Sequence, residues 1–256
     1  VNIVPQSLQV FEELYRYAED SEVSRKRIKP ENQDANVKLD LNSPEKSQII
    51  FKLEEVSVLF PLRKKMDMVL YLSPDTKKPV LTLIREAKRE ISVDNLSENI
   101  AMATFLPVAE KENKLYLFIK YDHSMEGKYS DPILITLSKD LLLTQFKKFG
   151  VLSSEVEDFT KCIEYMRKQA ILAGFRISDP FFSNPQANGD NCSFHVECHR
   201  GTKEGTLYFL PDHIIFGFKK PILKFDSSDI ESITYSSITR LTFNVTMVTK
   251  DEQKYE

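Results

Sequence analysis

Hydrophobic and polar residues alternate along most of the chain between Ser47 and Leu137. A period of two places successive side chains on opposite faces of an extended chain, so each alternating run predicts a β-strand with one buried face. Turn residues such as those at 73–75 separate the runs. Seven short strands at this spacing favour an antiparallel sandwich or barrel. The predicted strands cover 49–53 with 56–59, 68–72, 80–84, 89–92, 100–106, 114–121 and 133–137.

The pattern changes to a helical period after the seventh predicted strand. Ser138 is a suitable cap for a short helix that Gly150 ends. Ser154 and Glu157 form a capping box for a longer helix that ends at Gly174. Its apolar stripe needs a sheet face to cover, and seven antiparallel strands followed by a covering helix is the element order of a pleckstrin-homology domain. The stripe consists of Val156, Phe159, Ile163, Met166 and Ala170.

A second β pattern follows a loop-like stretch over 178–192. We therefore predict a mainly β chain with two pleckstrin-homology-like domains in tandem, each an antiparallel sandwich or barrel with a C-terminal helix. The pattern stops inside a predicted strand, so we expect the natural protein to continue beyond Glu256. The predicted strands cover 194–199, 205–210, 213–218, 222–226, 230–236, 241–248 and the start of another at 253–256.

These patterns divide the chain into four segments. Residues 1–18 are predicted to form a short N-terminal helix, and the polar stretch over 19–47 is predicted to be a flexible linker. The first domain is assigned to 48–177, and the second domain, truncated at its C-terminus, to 178–256.

Composition narrows the function classes. The chain has 256 residues, of which 41% are hydrophobic, and a formal net charge of -3. A chain so close to neutral can bind nucleic acid only through a local basic patch. The three cysteines, an odd number, argue against a disulfide framework and for a reducing compartment. No stretch approaches the roughly 20 apolar residues that a membrane span needs.

No residue pattern supports catalysis. The chain lacks a G-x-S-x-G elbow, and 201–206 lacks the order of a phosphate-binding loop, so we interpret it as a hairpin turn. Cys192, His195, Cys198 and His199 resemble a group of zinc ligands. In a strand, however, the two histidines point to one face and the two cysteines to the other, so we interpret Cys198 as a core thiol. We expect a protein that is not an enzyme and has no metal or other cofactor.

Basic residues concentrate at two predicted turns. Arg63, Lys64 and Lys65 fall between the first two strands, and a second group falls in a later turn. Together they would form one patch for phosphate groups, either of DNA or of an inositol lipid. The alternative is that they are ordinary solvated turn residues. The candidate DNA-binding residues are Lys64, Lys65, Arg85, Lys88 and Arg89.

Residues 234–240 form a predicted polar loop in which Tyr235 and Ile238 can be exposed. An apolar contact combined with hydroxyl hydrogen bonds suits a peptide or a modified lysine. The alternative, which residue types alone favour, is an ordinary connection between strands.

Four longer strings carry a resemblance to a known family. Residues 199–223, 229–243, 51–65 and 167–172 closely resemble the fungal histone chaperone family called Regulator of Ty Transposition. The longest string runs from His199-Arg-Gly-Thr-Lys-Glu-Gly to Lys-Lys-Pro-Ile-Leu223. More distantly, the pattern is similar to the middle domain of the structure-specific recognition subunit of the FACT histone chaperone complex.

The resemblance implies a tandem pleckstrin-homology fold behind an N-terminal helical segment that would allow a homodimer. It implies binding of the histone three–histone four pair, with preference for an acetylated lysine in the histone-three core, and weak binding of double-stranded DNA. It also implies cooperation with other chromatin-assembly factors in nucleosome assembly and heterochromatin silencing, in the nucleus and without a membrane partner.

The resemblance further implies which residues contact the histone. The matching positions are Ser57, Arg63, Tyr235, Ile238 and Thr239. An alternative function is that of a phosphoinositide-binding adaptor at a membrane. The usual lipid signature of such a domain is a cluster of basic residues between the first two strands, which 63–65 meets only in part.

Overall fold

The computed structural model describes residues 48–109, 111–122, 131–153, 158–181, 194–217, 222–239 and 243–256. The predicted N-terminal helix over 1–18 and the predicted linker over 19–47 lie outside these residues. We call residues 48–181 the first part of the chain and residues 194–256 the second part.

Seven antiparallel strands form one sheet in the first part, in the order β4-β3-β2-β1-β7-β6-β5. Consecutive strands are neighbours within β1–β4 and within β5–β7, and pairing of β1 with β7 joins the two groups. The strands are β1 (Ile49–Phe60), β2 (Lys64–Leu72), β3 (Pro79–Arg85), β4 (Lys88–Val93), β5 (Ile100–Pro107), β6 (Lys114–Tyr121) and β7 (Ile133–Ser138).

The long strand β1 contains a bulge where the sequence predicts a gap between two runs. The register with β2 shifts between Leu53 and Val56, and Glu55 has a φ of 51°. An extra residue in one strand resets the alternation of faces and bends the strand. As a result Leu53 and Val56 both point into the core, where each is fully buried.

Among the described residues, three α-helices accompany this sheet, namely α1 (Leu96–Asn99), α2 (Lys139–Lys148) and α3 (Phe159–Leu172). Ser138 caps α2 as predicted, since its Oγ accepts a hydrogen bond from the backbone N–H of Leu141 at 3.3 Å. Helix α3 begins at Phe159, and the carboxylate of Asp158 accepts the capping hydrogen bond from the N–H of Thr160 at 2.9 Å, so the predicted start at Ser154 is wrong. Ser154 and Glu157 themselves lie outside the described residues.

Helix α3 packs against the hydrophobic core of the first part. Gly174 ends the helix as predicted, with a φ of 85°, and the N–H of Phe175 donates to the carbonyl of Ala170 at 3.1 Å, which is a Schellman motif. The buried face of α3 packs against the inner residues of the sheet. This face consists of Cys162, Ile163, Met166 and Ala170.

The second part repeats the strand order of the first. One sheet has the order β11-β10-β9-β8 and another the order β12-β13-β14. Two backbone hydrogen bonds between His199 and Glu256 connect β8 to the end of β14, so the combined order corresponds to that of the first part. The described residues of the second part contain no α-helix. The strands are β8 (Phe194–Arg200), β9 (Lys203–Phe209), β10 (Ile214–Gly217), β11 (Leu223–Phe225), β12 (Ile230–Ser236), β13 (Asn244–Thr249) and β14 (Lys254–Tyr255).

Strands β9 and β10 are buried on both faces because each face meets a different core. Leu207 and Phe216 point into the core of the second part. Tyr208 and Ile215, which are paired across the two strands, point instead toward the first part. There they pack against outward-facing residues of β1, β5, β6 and β7, which are Phe60, Leu106, Phe118 and Leu134.

The predicted fold class is confirmed: the chain is mainly β, its sheets are antiparallel, and the order is that of a pleckstrin-homology domain. The exact division of the chain into domains remains a prediction. Within the described ranges, no helix combines the length and the apolar character that crossing a membrane requires.

Candidate functional site

The turn between β1 and β2 holds the candidate residues of the first part. Ser57 lies exposed on β1, directly opposite Lys65 on β2 and Thr136 on β7. Arg63 is exposed in the turn that follows Phe60. Ser57 and Lys65 therefore point from the same face of the sheet, while Arg63 extends from its end.

The two predicted basic turns lie at the same end of the first sheet. In a run of antiparallel hairpins the β1–β2 and β3–β4 turns open on the same side, and the β2–β3 turn opens on the other. Asp67 pairs with Ile84, and this register continues toward Lys65 and the β3–β4 turn. The structure therefore brings together a basic sheet end, by which we mean Arg63, Lys64, Lys65, Arg85, Lys88 and Arg89.

Several charges of the basic sheet end have local partners. Lys65 lies 3.6 Å from Glu55, and Arg85 lies 2.7 Å from Glu86. The guanidinium of Arg89 lies over the ring of Tyr71, 5.6 Å from its centre. Exposed ion pairs of this kind are weak and exchange readily for other partners. In the described part of the chain, no ion pair involves the remaining three residues, Arg63, Lys64 and Lys88.

The candidate residues of the second part lie at the end of β12. Tyr235 belongs to the strand itself, as the predicted strand over 230–236 requires, and the connection begins after Ser236. The side chain of Tyr235 is 63% exposed and that of Ile238 is 75% exposed. Thr239 is also exposed. The loop predicted over 234–240 is therefore shorter, but its two apolar residues are exposed as expected.

An exposed row of apolar side chains extends from Tyr235, which the sequence pattern alone does not predict. Tyr235 lies opposite Val245 and Ile233 lies opposite Met247, so these residues share one face of the sheet. Phe243 is two residues before Val245, and its ring centre lies 6.0 Å from that of Tyr235. The row ends at Met247, which is buried in the second core. We call this feature the apolar row, consisting of Ile233, Tyr235, Phe243 and Val245.

The described contacts do not merge the two groups of candidate residues into one site. Strand β12 packs along β13, whereas the two parts meet through the outer faces of β9 and β10. Phe60, which directly precedes the β1–β2 turn, belongs to that junction. A polar cleft of about 480 Å³ also opens beside the junction. Within it the guanidinium of Arg167 lies 2.9 Å from the carboxylate of Asp179.

The cysteine and histidine residues do not form a metal site in the described residues. Cys198 is buried in the second core as predicted, and burial raises the pKa of its thiol to about 11, which keeps it protonated at neutral pH. The ring of His195 stacks on Tyr208 on the opposite face of the strand. Cys192 lies outside the described residues. No group of three metal-ligating side chains occurs within them.

Comparison with known proteins gives two matches to families. Residues 43–180 match the family described as "Pleckstrin homology domain", which is more than half of the chain. Residues 194–256 match the family described as "Histone chaperone Rttp106-like, middle domain".

Whole-chain relatives agree with these matches. The protein named Histone chaperone RTT106 of Saccharomyces cerevisiae is 55% identical over 262 residues, which is 100% of this chain and 58% of the relative. The proteins of the same name from Candida glabrata and Kluyveromyces lactis are 53% and 45% identical, and each alignment covers 98% of this chain and 53% of the relative. The chain thus spans less than two thirds of these relatives. It belongs to the pleckstrin homology domain family in its first part and, along its whole length, to the family of proteins named Histone chaperone RTT106.

Proposed function

We propose that the chain is the histone-binding portion of a histone chaperone, which binds the histone three–histone four pair and transfers it to DNA. The observation that carries the proposal is the exposed connection after β12, with Ile238 and Thr239, on a chain whose full length aligns with proteins named as histone chaperones. An exposed apolar side chain beside hydroxyl groups suits a contact with another protein. A chaperone is a binding protein, in agreement with the prediction that the chain is not an enzyme.

The end of β12 suits an acetylated lysine better than an unmodified one. Acetylation removes the charge of the lysine and leaves an amide on an apolar stem. Ile238 offers an apolar contact to that stem, and the hydroxyl groups of Tyr235 and Thr239 offer hydrogen bonds to the amide. We therefore propose that this region recognises an acetylated lysine of histone three.

Ser57 and Arg63 would supply the contact from the first part. A serine hydroxyl and a guanidinium provide hydrogen bonds to backbone carbonyls and carboxylates without requiring a pocket. The rest of the basic sheet end would repel a strongly basic histone, but it suits the phosphates of double-stranded DNA. In the first part of the chain, the proposed histone contacts of Ser57 and Arg63 thus lie beside the proposed DNA contacts of the other basic residues.

The wider role follows from the same proposal. A protein that binds the histone pair and DNA would act in the nucleus with other chromatin-assembly factors, in nucleosome assembly and heterochromatin silencing. Homodimerisation would depend on the N-terminal residues 1–18, which lie outside the described part of the chain.

Variants at exposed positions test the proposed histone site. Tyr235→Ala and Arg63→Ala should each weaken binding of the histone pair by about tenfold, because central aromatic and arginine contacts dominate interface energies. Ile171→Ala on α3 is a matched control, since Ile171 is 56% exposed on an unrelated surface. If both site variants fold and bind the histone pair as tightly as the control, the site assignment is wrong.

The DNA assignment has its own test. Replacing Lys64 and Lys88 by Ala should lower the slope of log affinity against log salt concentration by about two, because each phosphate contact contributes about one. Replacing Lys77 and Lys78, which are exposed at the opposite end of the sheet, should leave the slope unchanged. Equal slopes for the two double variants would contradict the assignment.

A further inference from the structure

The bulge of β1 leaves main-chain groups outside the regular ladder of the first sheet. Residues 54 and 55 both lie opposite Asp67 of β2. On its other side, β1 pairs with β7 only from Ser57 onward. The N–H and C=O groups at the bulge therefore need partners that are not the main chain of a neighbouring strand.

Two side chains bind these main-chain groups, one from α2 and one from β2. The N–H of Glu54 donates to Oε1 of Gln145 at 2.8 Å, and Nε2 of Gln145 donates to the carbonyl of Glu54 at 2.7 Å. The side-chain amide thus makes the two hydrogen bonds that an antiparallel strand would make at this residue. On the β2 side, the N–H of Glu55 donates to Oδ1 of Asp67 at 3.0 Å. The bulge is therefore held by a helix on one side and by a strand on the other.

An ionic network also attaches α2 to the bulge. Lys148 of α2 lies 3.0 Å from the carboxylate of Glu54, and Lys52 lies 3.3 Å from it. The hydrogen bonds from Lys148 and Lys52 lower the pKa of the Glu54 carboxyl group. Ion pairs at exposed positions are weak and exchange readily for other partners. The directional link between α2 and β1 is therefore the amide of Gln145.

The bulge decides which way Ser57 points. Strict alternation from the buried Leu53 would turn Ser57 toward the core. The extra residue shifts the alternation, so that Val56 and Val58 are buried and Ser57 is exposed. A side chain that is already held in its binding orientation loses less conformational freedom when a partner binds.

We propose that Gln145 is a positioning residue for the histone contact of the first part, because its amide holds the bulge that orients Ser57. The inference rests on the proposed function, and it adds a residue that does not itself touch the histone. Gln145 is half-buried on α2 and acts through β1.

Gln145→Met tests this role, because methionine keeps the length and the helix preference of glutamine but lacks the amide. In the variant alone, the amide of Glu54 should exchange with solvent about tenfold faster, while that of Leu117 in β6 stays protected and shows that the variant is folded. Binding of the purified histone three–histone four pair should weaken by about threefold to tenfold. Gln169→Met, at a half-buried position of α3, is the matched control and should leave both the exchange of Glu54 and the binding unchanged.

A double variant shows whether Gln145 acts through Ser57. If it does, Gln145→Met should weaken binding little once Ser57→Ala is present. A residue that only stabilises the fold would weaken binding by the same factor with and without Ser57→Ala, and that result overturns the inference. Gln145→Glu keeps the acceptor for the N–H of Glu54 and loses the donor to its carbonyl, so it disturbs the bulge less and should show the same dependence on Ser57.

The outcomes separate this inference from the proposed function. No binding of the histone pair by the unaltered, folded chain contradicts the proposed function and the inference with it. Binding that is equally tight for Gln145→Met and for the control overturns the positioning role and keeps the function. An amide of Glu54 that stays protected in Gln145→Met also overturns the role, because the bulge then does not depend on Gln145.

Discussion

Tyr208 is the residue through which the packing of the two parts can be measured. Its side chain is fully buried, and its hydroxyl group donates a hydrogen bond to the carbonyl of Pro107 at 2.7 Å. Burial raises the pKa of this hydroxyl well above its usual range, so it remains a donor at all ordinary pH values. The ring also contacts His195 and Phe181.

Two substitutions separate the hydrogen bond from the packing. Tyr208→Phe keeps the ring and leaves the carbonyl of Pro107 without this donor, which should lower the free energy of unfolding by about 1–3 kcal/mol. Tyr208→Ala also removes the ring from a buried cluster and should cost about 3–5 kcal/mol. For a chain of this size each kcal/mol corresponds to a decrease in Tm of roughly 2–4 °C.

Chemical denaturation measures these differences directly. Tyr235→Phe is the matched control, because it removes a hydroxyl group from an exposed ring and should change stability by less than about 0.5 kcal/mol. If Tyr208→Phe is as neutral as this control, the hydrogen bond between Tyr208 and Pro107 does not stabilise the fold.

Three further predictions concern stability and binding. The hydrogen bond from His213 lowers the pKa of Asp226. The stability that this hydrogen bond contributes is therefore present above the unfolded pKa of the Asp226 carboxyl group and is lost as the pH falls through the lower folded pKa. Asp226→Asn should remove this part of the loss of stability in acid denaturation, and an unchanged acid transition would contradict the prediction. Arg167→Ala removes the ion pair with the largely buried carboxylate of Asp179 and should lower the free energy of unfolding by about 1–3 kcal/mol, whereas Lys168→Ala, at an exposed neighbouring position, should be neutral; thermal unfolding measures both. In liposome flotation the chain should not distinguish vesicles with phosphoinositides from vesicles without them; specific flotation would favour the membrane adaptor.

The strands were best predicted where turn residues mark both ends of a run. The predicted ranges 114–121 and 230–236 agree with Lys114–Tyr121 and Ile230–Ser236, although neither run alternates strictly. Strand β1 was predicted as two runs, since a bulge at Glu55 breaks the alternation without ending the hydrogen-bonded ladder. The start of α3 was misplaced because serine and aspartate are both favoured capping residues, so sequence preference alone does not choose between positions 154 and 158.

The junction between the two parts could not be predicted from sequence period alone. The continuous apolar run in β10 indicates burial on both faces, but it does not say what covers the second face. Only the three-dimensional packing shows that Tyr208 and Ile215 meet Phe60 rather than their own core.

The candidate site was predictable only in part. Tyr235 and Ile238 carried a signal as apolar residues in a polar stretch, and both are exposed. Phe243 and Val245 were missed because their residue types are ordinary for a core strand. The cross-strand register that places Val245 opposite Tyr235 is a long-range property, which the period of the sequence does not give.

Equilibrium titration of the chain with the purified histone three–histone four pair, at physiological salt concentration, tests the proposed histone binding directly. The acetylated and the unmodified pair are compared. We expect saturable binding with a nanomolar-to-micromolar Kd, tighter for the acetylated pair and weakened by Tyr235→Ala. Absence of saturable binding to either pair, by a chain that is folded, would contradict it.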